Sequence, residues 1–140
     1  MQKRPRRVIF DSNIWVSFAI GKRLEEMRTV LAHPGVEVLV CPRLLQEVGT
    51  VTQRPKLRKY VSPQRREMLL DLMQVCHCVE IDEQASMSRD PGDDYLLDLA
   101  VTVGADFIVT GDKDLLVLEK FQNTSIVPFA VFMALGWAGK

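Results

Sequence analysis

Hydrophobic and polar positions form two alternating patterns along this chain. Short, continuously apolar runs are typical of strands that are buried on both faces of a parallel sheet. Between these runs, apolar residues recur at i, i+3, i+4 and i+7, which is typical of helices packed on such a sheet. The predicted strands are residues 7–10, 36–40, 78–81, 107–110 and 125–127. The sequence therefore predicts an α/β fold with helices covering a central, mostly parallel sheet of about five strands.

Several of the predicted helices carry start signals. Proline suits a first helical position, which Pro42 and Pro63 would occupy, and Asp90-Pro91 combines an N-cap with such a proline. The predicted helices are residues 14–19, 24–32, 42–51, 62–75, 90–104, 113–116 and 128–135. Because no repeat, linker or low-complexity segment interrupts the alternation, we expect a single domain over residues 1–140.

Composition narrows the class of protein. A length of 140 residues with 47% hydrophobic residues suits one globular core. No apolar run approaches the roughly 20 residues that a membrane span needs, and no signal-type cleavage site follows the basic start. The three cysteines, Cys41, Cys76 and Cys78, cannot pair completely and lack the usual zinc spacings. We expect a soluble, cytoplasmic protein with reduced cysteines and no membrane partner.

The net charge of zero hides an uneven distribution. Residues 1–66 carry 14 Lys and Arg against 5 Asp and Glu, whereas residues 67–140 carry 4 against 13. The asymmetry is compatible with a basic surface for a polyanion beside an acidic cluster for a metal. Ordinary internal charge pairing explains it equally well.

Two acids directly follow predicted strands. Asp11 comes after the strand 7–10, and Asp112 comes one glycine after the strand 107–110. Ligands of open parallel sheets bind outside the carboxyl ends of the strands, so both acids are expected at the ligand edge. Each acid taken alone is also a good helix N-cap.

Two further acids interrupt the apolar stripes of helices. Glu47 shares a stripe with apolar residues at 44, 48 and 51, and Asp93 heads a stripe with apolar residues at 96, 97 and 100. A carboxylate on a buried face needs a partner, which is either a metal ion or an Arg or Lys side chain. The other alternative for Glu47 is a position merely at the edge of its stripe.

Four acids that converge on one sheet edge repel one another unless cations lie between them. Mg²⁺ and Mn²⁺ suit this role because they take carboxylate oxygens and keep several waters. A metal at this edge predicts phosphodiester hydrolysis, in which it activates the attacking water and stabilises charge on the phosphate. The sequence has no Walker-type phosphate loop and no G-x-S-x-G element that would supply a competing catalytic set.

Four segments resemble, in order and over nearly the whole chain, the signature of the PIN-domain family. They are residues 8–13, 44–48, 89–94 and 109–116. The similarity is greatest to the branch described as toxin components of bacterial or archaeal toxin–antitoxin systems. The resemblance implies a three-layer α/β/α sandwich, Mg²⁺- or Mn²⁺-dependent endoribonuclease activity on RNA, homodimerisation and inhibition by a cognate antitoxin protein. It assigns metal binding and catalysis to Asp11, Glu47, Asp93 and Asp112.

The same resemblance implies supporting roles for three more residues. Asn13 and Thr110 would be polar supports beside the metal, and Asp114 would be a further contributor. Asn13 would equally cap the helix after the first strand, and Asp114 would equally be a first-turn acid after an Asp112 cap. The chain departs from the pattern at Gly92, where this branch often carries another acid, and the loop gains flexibility there.

Two surface features bear on partners. A basic segment with an adjacent tyrosine, Tyr60, would contact RNA phosphates and a base, or would simply be a solvated face. Its members are Arg54, Lys56, Arg58, Lys59, Arg65 and Arg66. An apolar tail would form part of a dimer or antitoxin surface, or would be ordinary core. Its members are Phe129, Val131, Phe132, Met133, Leu135 and Trp137.

Other functions stay open at this point. A nuclease of the same fold could process RNA or cut DNA outside any toxin pair. A non-catalytic binding domain would use the acids only as helix caps and as partners of arginine. A haloacid-dehalogenase-type phosphatase is disfavoured, because Asp11-Ser12-Asn13 lacks the second aspartate of that nucleophile motif.

Overall fold

A computed structural model describes residues 4–21, 23–81 and 95–135. Within these ranges six strands form one sheet in the order β3-β2-β1-β4-β6-β5. All neighbouring strands are parallel except β5 and β6, which form an antiparallel hairpin. The strands are β1 (Arg6–Phe10), β2 (Val36–Val40), β3 (His77–Cys78), β4 (Phe107–Val109), β5 (Lys120–Phe121) and β6 (Thr124–Val127). The mostly parallel sheet flanked by helices confirms the predicted three-layer α/β/α fold.

Eight helices are described, and the prolines begin two of them as predicted. Pro42 and Pro63 each stand at a helix N-terminus, and the Ser62 hydroxyl caps the second of these helices by accepting from Arg65 N at 3.2 Å. The helices are α1 (Ser12–Ile20), α2 (Leu24–Ala32), α3 (Pro42–Val51), α4 (Pro55–Arg58), α5 (Pro63–Gln74), α6 (Tyr95–Val103), α7 (Lys113–Leu116) and α8 (Phe129–Met133).

Strand β1 is the centre of the core. Val8, Ile9 and Phe10 are fully buried between the helical layers, as a continuously apolar strand requires. The Phe10 ring meets the edge of Trp15 from α1 at 5.8 Å and of Phe132 from α8 at 5.7 Å, measured between ring centroids. These contacts fix the helices that follow the strands, and thereby the side chains at the strand ends.

The strand order changes direction at β1. The chain passes from β1 to β2 and β3 on one side of the sheet, and then crosses to β4 on the other side. Such a switch leaves a crevice outside the carboxyl ends of the two strands that flank it. Residues 11 and 110 follow β1 and β4 directly, so both lie at this crevice.

Three local predictions differ from the structure. The strand predicted at 78–81 is wrong in extent: β3 has two residues, because it is an edge strand that pairs only with Leu39 and Val40 at the end of β2. Strand β5 was not predicted, since two residues are too few to show an alternating pattern. Helix α4 was not predicted because its four residues, two of them charged, are too few to form an apolar stripe. The predicted helix start at Asp90-Pro91 lies outside the described residues.

Candidate metal centre

Asp11 is a buried carboxylate at the end of β1. Its side chain is 7% exposed, and it caps α1 by accepting from Ser12 N at 2.6 Å through Oδ1. The other oxygen, Oδ2, accepts from the Thr110 hydroxyl at 2.7 Å. Asp11 is therefore both a helix cap and the centre of a hydrogen-bonded group.

Thr110 links the ends of two neighbouring strands. It follows β4, is fully buried, and donates through Oγ1 to Asp11 while accepting from Asp112 N at 3.0 Å. One hydroxyl thus fixes the Asp11 carboxylate and the start of the turn that carries Asp112. Thr110, which the resemblance assigns as a polar support beside a metal, is thus in contact with Asp11.

Glu47 is brought to Asp11 by a serine hydroxyl. Helix α3 starts at the carboxyl end of β2 and presents Glu47, half-buried, beside the buried residues Leu44 and Val48. The Ser12 Oγ lies 3.2 Å from Glu47 Oε1 and 3.3 Å from Asp11 Oδ1. The two predicted carboxylates are therefore separated by a single hydroxyl group.

Tyr95 completes the group and was not predicted. It is the first residue of α6, is 5% exposed, and donates its hydroxyl to Glu47 Oε2 at 2.8 Å. The guanidinium of Arg43, one turn before Glu47 on α3, lies 4.7 Å from the Tyr95 ring centroid. A tyrosine at a buried helix position needs a partner for its hydroxyl, which is the one sequence signal that pointed here.

Burial controls the protonation of the two innermost groups. It raises the pKa of Asp11 above the ordinary value, and the nearby Glu47 carboxylate acts in the same direction, against the hydrogen bonds from Thr110 and Ser12. Burial, and then the Glu47 carboxylate, also raise the pKa of Tyr95. The phenol therefore stays protonated and is the donor of its bond to Glu47.

Asp112, Asp114 and Asn13 lie at the edge of this group. Asp112 is exposed and caps α7 by accepting from Asp114 N at 2.9 Å through Oδ1. Asp114 is an exposed first-turn acid. Asn13 is exposed in the first turn of α1 and does not cap this helix, because Asp11 does. The alternative of Asn13 as the cap is therefore wrong.

Asp93, the fourth acid of the predicted set, lies outside the described residues, as do Asp90, Gly92 and Asp94. The apolar stripe that Asp93 was expected to head is confirmed, since residues 96, 97 and 100 are all buried. Tyr95, two positions after Asp93, contacts Glu47. The first residue of α6, Tyr95, is therefore in contact with one of the predicted acids.

The linked carboxylates fit a hard divalent cation. Among the described residues, neither Asp11 nor Glu47 forms an ion pair with Lys or Arg. Their oxygens accept hydrogen bonds from the hydroxyls of Ser12, Thr110 and Tyr95 and from Ser12 N. Two like charges one hydroxyl apart, one of them buried, call for a positive charge between them. No group of three His, Cys, Asp or Glu side chains within residues 4–21, 23–81 and 95–135 would hold a metal by itself.

Comparison with protein families gives this crevice a context. The model of the PIN domain matches residues 7–114. The chain belongs to the PIN domain family. PIN domains are generally metal-dependent nucleases that use divalent ions such as Mg²⁺. The uncharacterized protein MJ1680 of Methanocaldococcus jannaschii is similar to this PIN domain, with 29% identity over 127 residues that cover 85% of this chain and 79% of the relative.

The basic segment of this PIN domain lies on and around α4. Arg54, Lys56, Arg58 and Lys59 are exposed, and none of them pairs with an acid in the described part of the chain. Tyr60 beside them is 50% exposed. Arg66 differs, because its guanidinium is used to join α5 to the end of α3 through Thr52 Oγ1 and Gly49 O.

The apolar tail of the PIN domain divides between core and surface. Phe132 is fully buried against Phe10 and Phe107, so this part is ordinary core. On α8 and just after it, three apolar side chains are exposed: Val131, Met133 and Leu135. Trp137 lies outside the described residues.

All three cysteines of this PIN domain are free. Burial raises the pKa of Cys41 and raises that of Cys76 to about 12, so both stay thiols. Within the described ranges, no helix is long and apolar enough to cross a bilayer.

Proposed function

We propose that this PIN domain is a Mg²⁺- or Mn²⁺-dependent endoribonuclease that acts as the toxin of a toxin–antitoxin pair. The observation that carries the catalytic part is the pairing of Asp11 and Glu47 through Ser12 without a cationic partner among the described residues. The proposed metal-binding and catalytic residues are Asp11, Glu47, Asp93 and Asp112. Asn13, Thr110 and Asp114 are proposed to support them.

The roles of the side chains follow from their positions. A bound divalent ion supplies an activated water and charge stabilisation on the phosphate. Asp11 and Glu47 present their oxygens to it in fixed orientations, because hydroxyls of Ser12 and Thr110 hold them. Asp112 caps α7 through Oδ1 alone, and its Oδ2 accepts no hydrogen bond from the described residues. That oxygen is the one we assign to the cation.

RNA is the proposed substrate, and the basic segment supports a polyanionic one. Exposed cations that are not paired with acids bind phosphates by releasing counterions, and an exposed tyrosine stacks on bases of a single strand. The segment offers both, in Lys56, Lys59 and Tyr60. DNA-directed cleavage and RNA processing outside a toxin pair are the alternatives within the same family.

The toxin role rests on the four motif segments that resemble the toxin branch. It includes a single nuclease domain over residues 1–140, a homodimer, a cognate antitoxin and action in the cytoplasm. The exposed residues Val131, Met133 and Leu135 support an interface with a second copy or with the antitoxin.

Cleavage assays test the nuclease directly. We expect purified protein to cut single-stranded RNA with Mg²⁺ or Mn²⁺ and to lose this activity in EDTA, with recovery when Mn²⁺ is restored. Cleavage that persists after confirmed metal depletion would contradict the metal mechanism. Cleavage of DNA but not RNA would favour the DNA-directed alternative, and failure to cut either would favour a non-catalytic binding domain.

Two adjacent acids test the assignment of Asp93. On a helix continued at about 100° per residue, Asp93 would share the face of the buried stripe at 96, 97 and 100, whereas Asp94 would turn toward another face. We expect Asp93→Asn to abolish Mn²⁺-dependent cleavage and Asp94→Asn to lower it only modestly. The reverse result would move the ligand by one residue.

The toxin role has its own test. Induced expression of the wild type in a bacterial host is expected to arrest growth, and the Asp11→Asn variant is expected not to. Co-expression of a small protein encoded beside this chain should restore growth. Active nuclease without growth arrest would leave the nuclease standing and reject the toxin.

A further inference from the structure

The Tyr95 hydroxyl occupies a position that the proposed nuclease activity does not by itself explain. It reaches Glu47 Oε2 from α6, while the Ser12 hydroxyl reaches Glu47 Oε1 from α1. Each oxygen of this carboxylate therefore accepts from a hydroxyl, and the two hydroxyls belong to different helices. A carboxylate held at both oxygens cannot rotate about its last bond without breaking a hydrogen bond.

Helix α3 holds the Tyr95 ring at two points. Glu47 binds the hydroxyl at one end of the ring, and the guanidinium of Arg43 lies 4.7 Å from the ring centroid. Arg43 and Glu47 are four residues apart, so they project from the same side of α3. The ring is also 5% exposed, which leaves it little freedom to move away.

Tyr95 also joins two parts of the candidate metal centre along the sequence. It lies two residues after Asp93, which is proposed as a ligand, and it contacts Glu47 on α3. The bond therefore ties α6, at its first residue, to the helix that carries Glu47. Holding ligands in place before the cation arrives lowers the entropy lost on binding.

We infer that Tyr95 is a positioning residue, which orients Glu47 for the divalent cation through its hydroxyl. The inference rests on the proposed metal site and adds to it a residue outside the four acids. Outer-sphere partners of ligating carboxylates act in this way, and their loss weakens metal affinity about 10- to 100-fold. The competing explanation is that Tyr95 is a core residue whose hydroxyl donates to Glu47 only because a buried hydroxyl needs a hydrogen-bond partner.

The Tyr95→Phe variant separates these explanations, because it keeps the ring and its contact with Arg43 and removes only the hydroxyl. Thr124→Val is the matched control, since it also removes a buried hydroxyl, one that donates to Ala105 O at 2.8 Å, away from the acids. The measurement is Mn²⁺ binding by titration calorimetry, with the Mn²⁺ dependence of RNA cleavage in parallel. Titrations are made well below the melting temperature of each variant, so that lost stability does not enter the binding constant.

For Tyr95→Phe we expect the Mn²⁺ dissociation constant to rise about 10-fold, and kcat at saturating Mn²⁺ to stay within about threefold of the wild type. Thr124→Val should change neither. A lower melting temperature with unchanged Mn²⁺ affinity would show a purely structural role and overturn the inference, while the proposed nuclease would stand. A wild type that neither binds Mn²⁺ nor cleaves would overturn both.

A double-mutant cycle shows whether Tyr95 acts through Glu47. In the Glu47→Asp background the carboxylate is retained but is too short to keep its bond to the Tyr95 hydroxyl. Adding Tyr95→Phe to that variant should then leave Mn²⁺ affinity unchanged, because the contact is already lost. Losses that simply add would overturn the inference.

Discussion

The Thr110 hydroxyl donates to Asp11 Oδ2 at 2.7 Å, and this one bond joins the ends of β4 and β1 across 99 residues of sequence. Thr110 Oγ1 also accepts a hydrogen bond from Asp112 N. Two of the proposed metal ligands thus depend on one buried threonine.

Replacing Thr110 by valine should therefore affect both stability and the metal site. We expect Thr110→Val to lower the free energy of unfolding by about 1–3 kcal/mol, because a buried carboxylate and a backbone N–H each lose a partner. Mn²⁺-dependent cleavage should fall as well, and Thr110→Ser should recover most of it. Urea denaturation and cleavage rates are the measurements.

Thr124→Val is the matched control for that experiment. Thr124 is also buried, and its hydroxyl donates to Ala105 O at 2.8 Å, away from the acids. Thr124→Val should cost a similar free energy of unfolding and leave Mn²⁺-dependent cleavage unchanged. Equal losses of cleavage in both variants would show that Thr110 acts only through general stability.

Asp11→Asn should separate activity from stability. Asparagine caps a helix about as well as aspartate, and it removes a buried charge that faces Glu47. We expect cleavage to fall more than about 100-fold, beyond the loss typical of an outer-sphere partner. Without metal, the melting temperature of Asp11→Asn should equal or exceed that of the wild type. Asp71→Asn on the exposed face of α5 is the control and should change neither quantity.

The raised pKa of Asp11 makes the stability of the metal-free protein depend on pH. Asp11 holds its proton more tightly in the folded state than in the unfolded state, where its pKa is near 3.8. The stabilising contribution of Asp11 is therefore complete below that value and is lost as the pH rises through the higher, folded-state pKa. In EDTA, as the pH rises through the folded-state pKa of Asp11, the free energy of unfolding of the wild type should fall relative to that of Asp11→Asn. If the advantage of Asp11→Asn instead shrank with rising pH, the pKa of Asp11 would not be raised in the folded state.

The basic segment should affect substrate binding rather than chemistry. The triple change of Arg54, Lys56 and Lys59 to glutamine should raise KM for RNA and leave kcat and Mn²⁺ affinity unchanged. If all three contact phosphates, the slope of log affinity against log salt should fall by about 2, at roughly 0.7 per contact for a single strand. Arg28→Gln is the control, because Arg28 is already paired with Glu25. An unchanged slope would identify the segment as a solvated face.

Most of the fold follows from the sequence because its signals are local. The limits of α2 and β2, and the prolines that start α3 and α5, are visible as apolar periodicity and cap chemistry. Short elements are not visible in this way. The two-residue strand β5 exists only because β6 returns beside it, and β3 is shortened because β2 offers it only two partners.

The sequence predicted that Asp11 and Glu47 lie close together, but not the hydrogen bonds that connect them. Asp11 and Glu47 stood out as carboxylates at a strand end and on an apolar stripe, respectively. That Ser12 bridges them depends on how α1 and α3 pack, and that Tyr95 reaches Glu47 depends on where α6 begins. Contacts between segments 35 and 48 residues apart leave no periodic trace in the sequence.

The pairing of β1 with β4 also sets the moment during synthesis at which the crevice first exists. Val8 pairs with Phe107 and Phe10 with Val109. Strand β1 is therefore translated early, but it can pair with β4 only near the end of translation. Pairings this distant form slowly, because a long loop must close first. A ribosome that has not yet released residues 107–110 therefore carries a chain in which β1 can pair with β2, but Asp11 has neither β4 nor Thr110 beside it. A cell making this protein is exposed to the assembled crevice only after most of each copy has been translated.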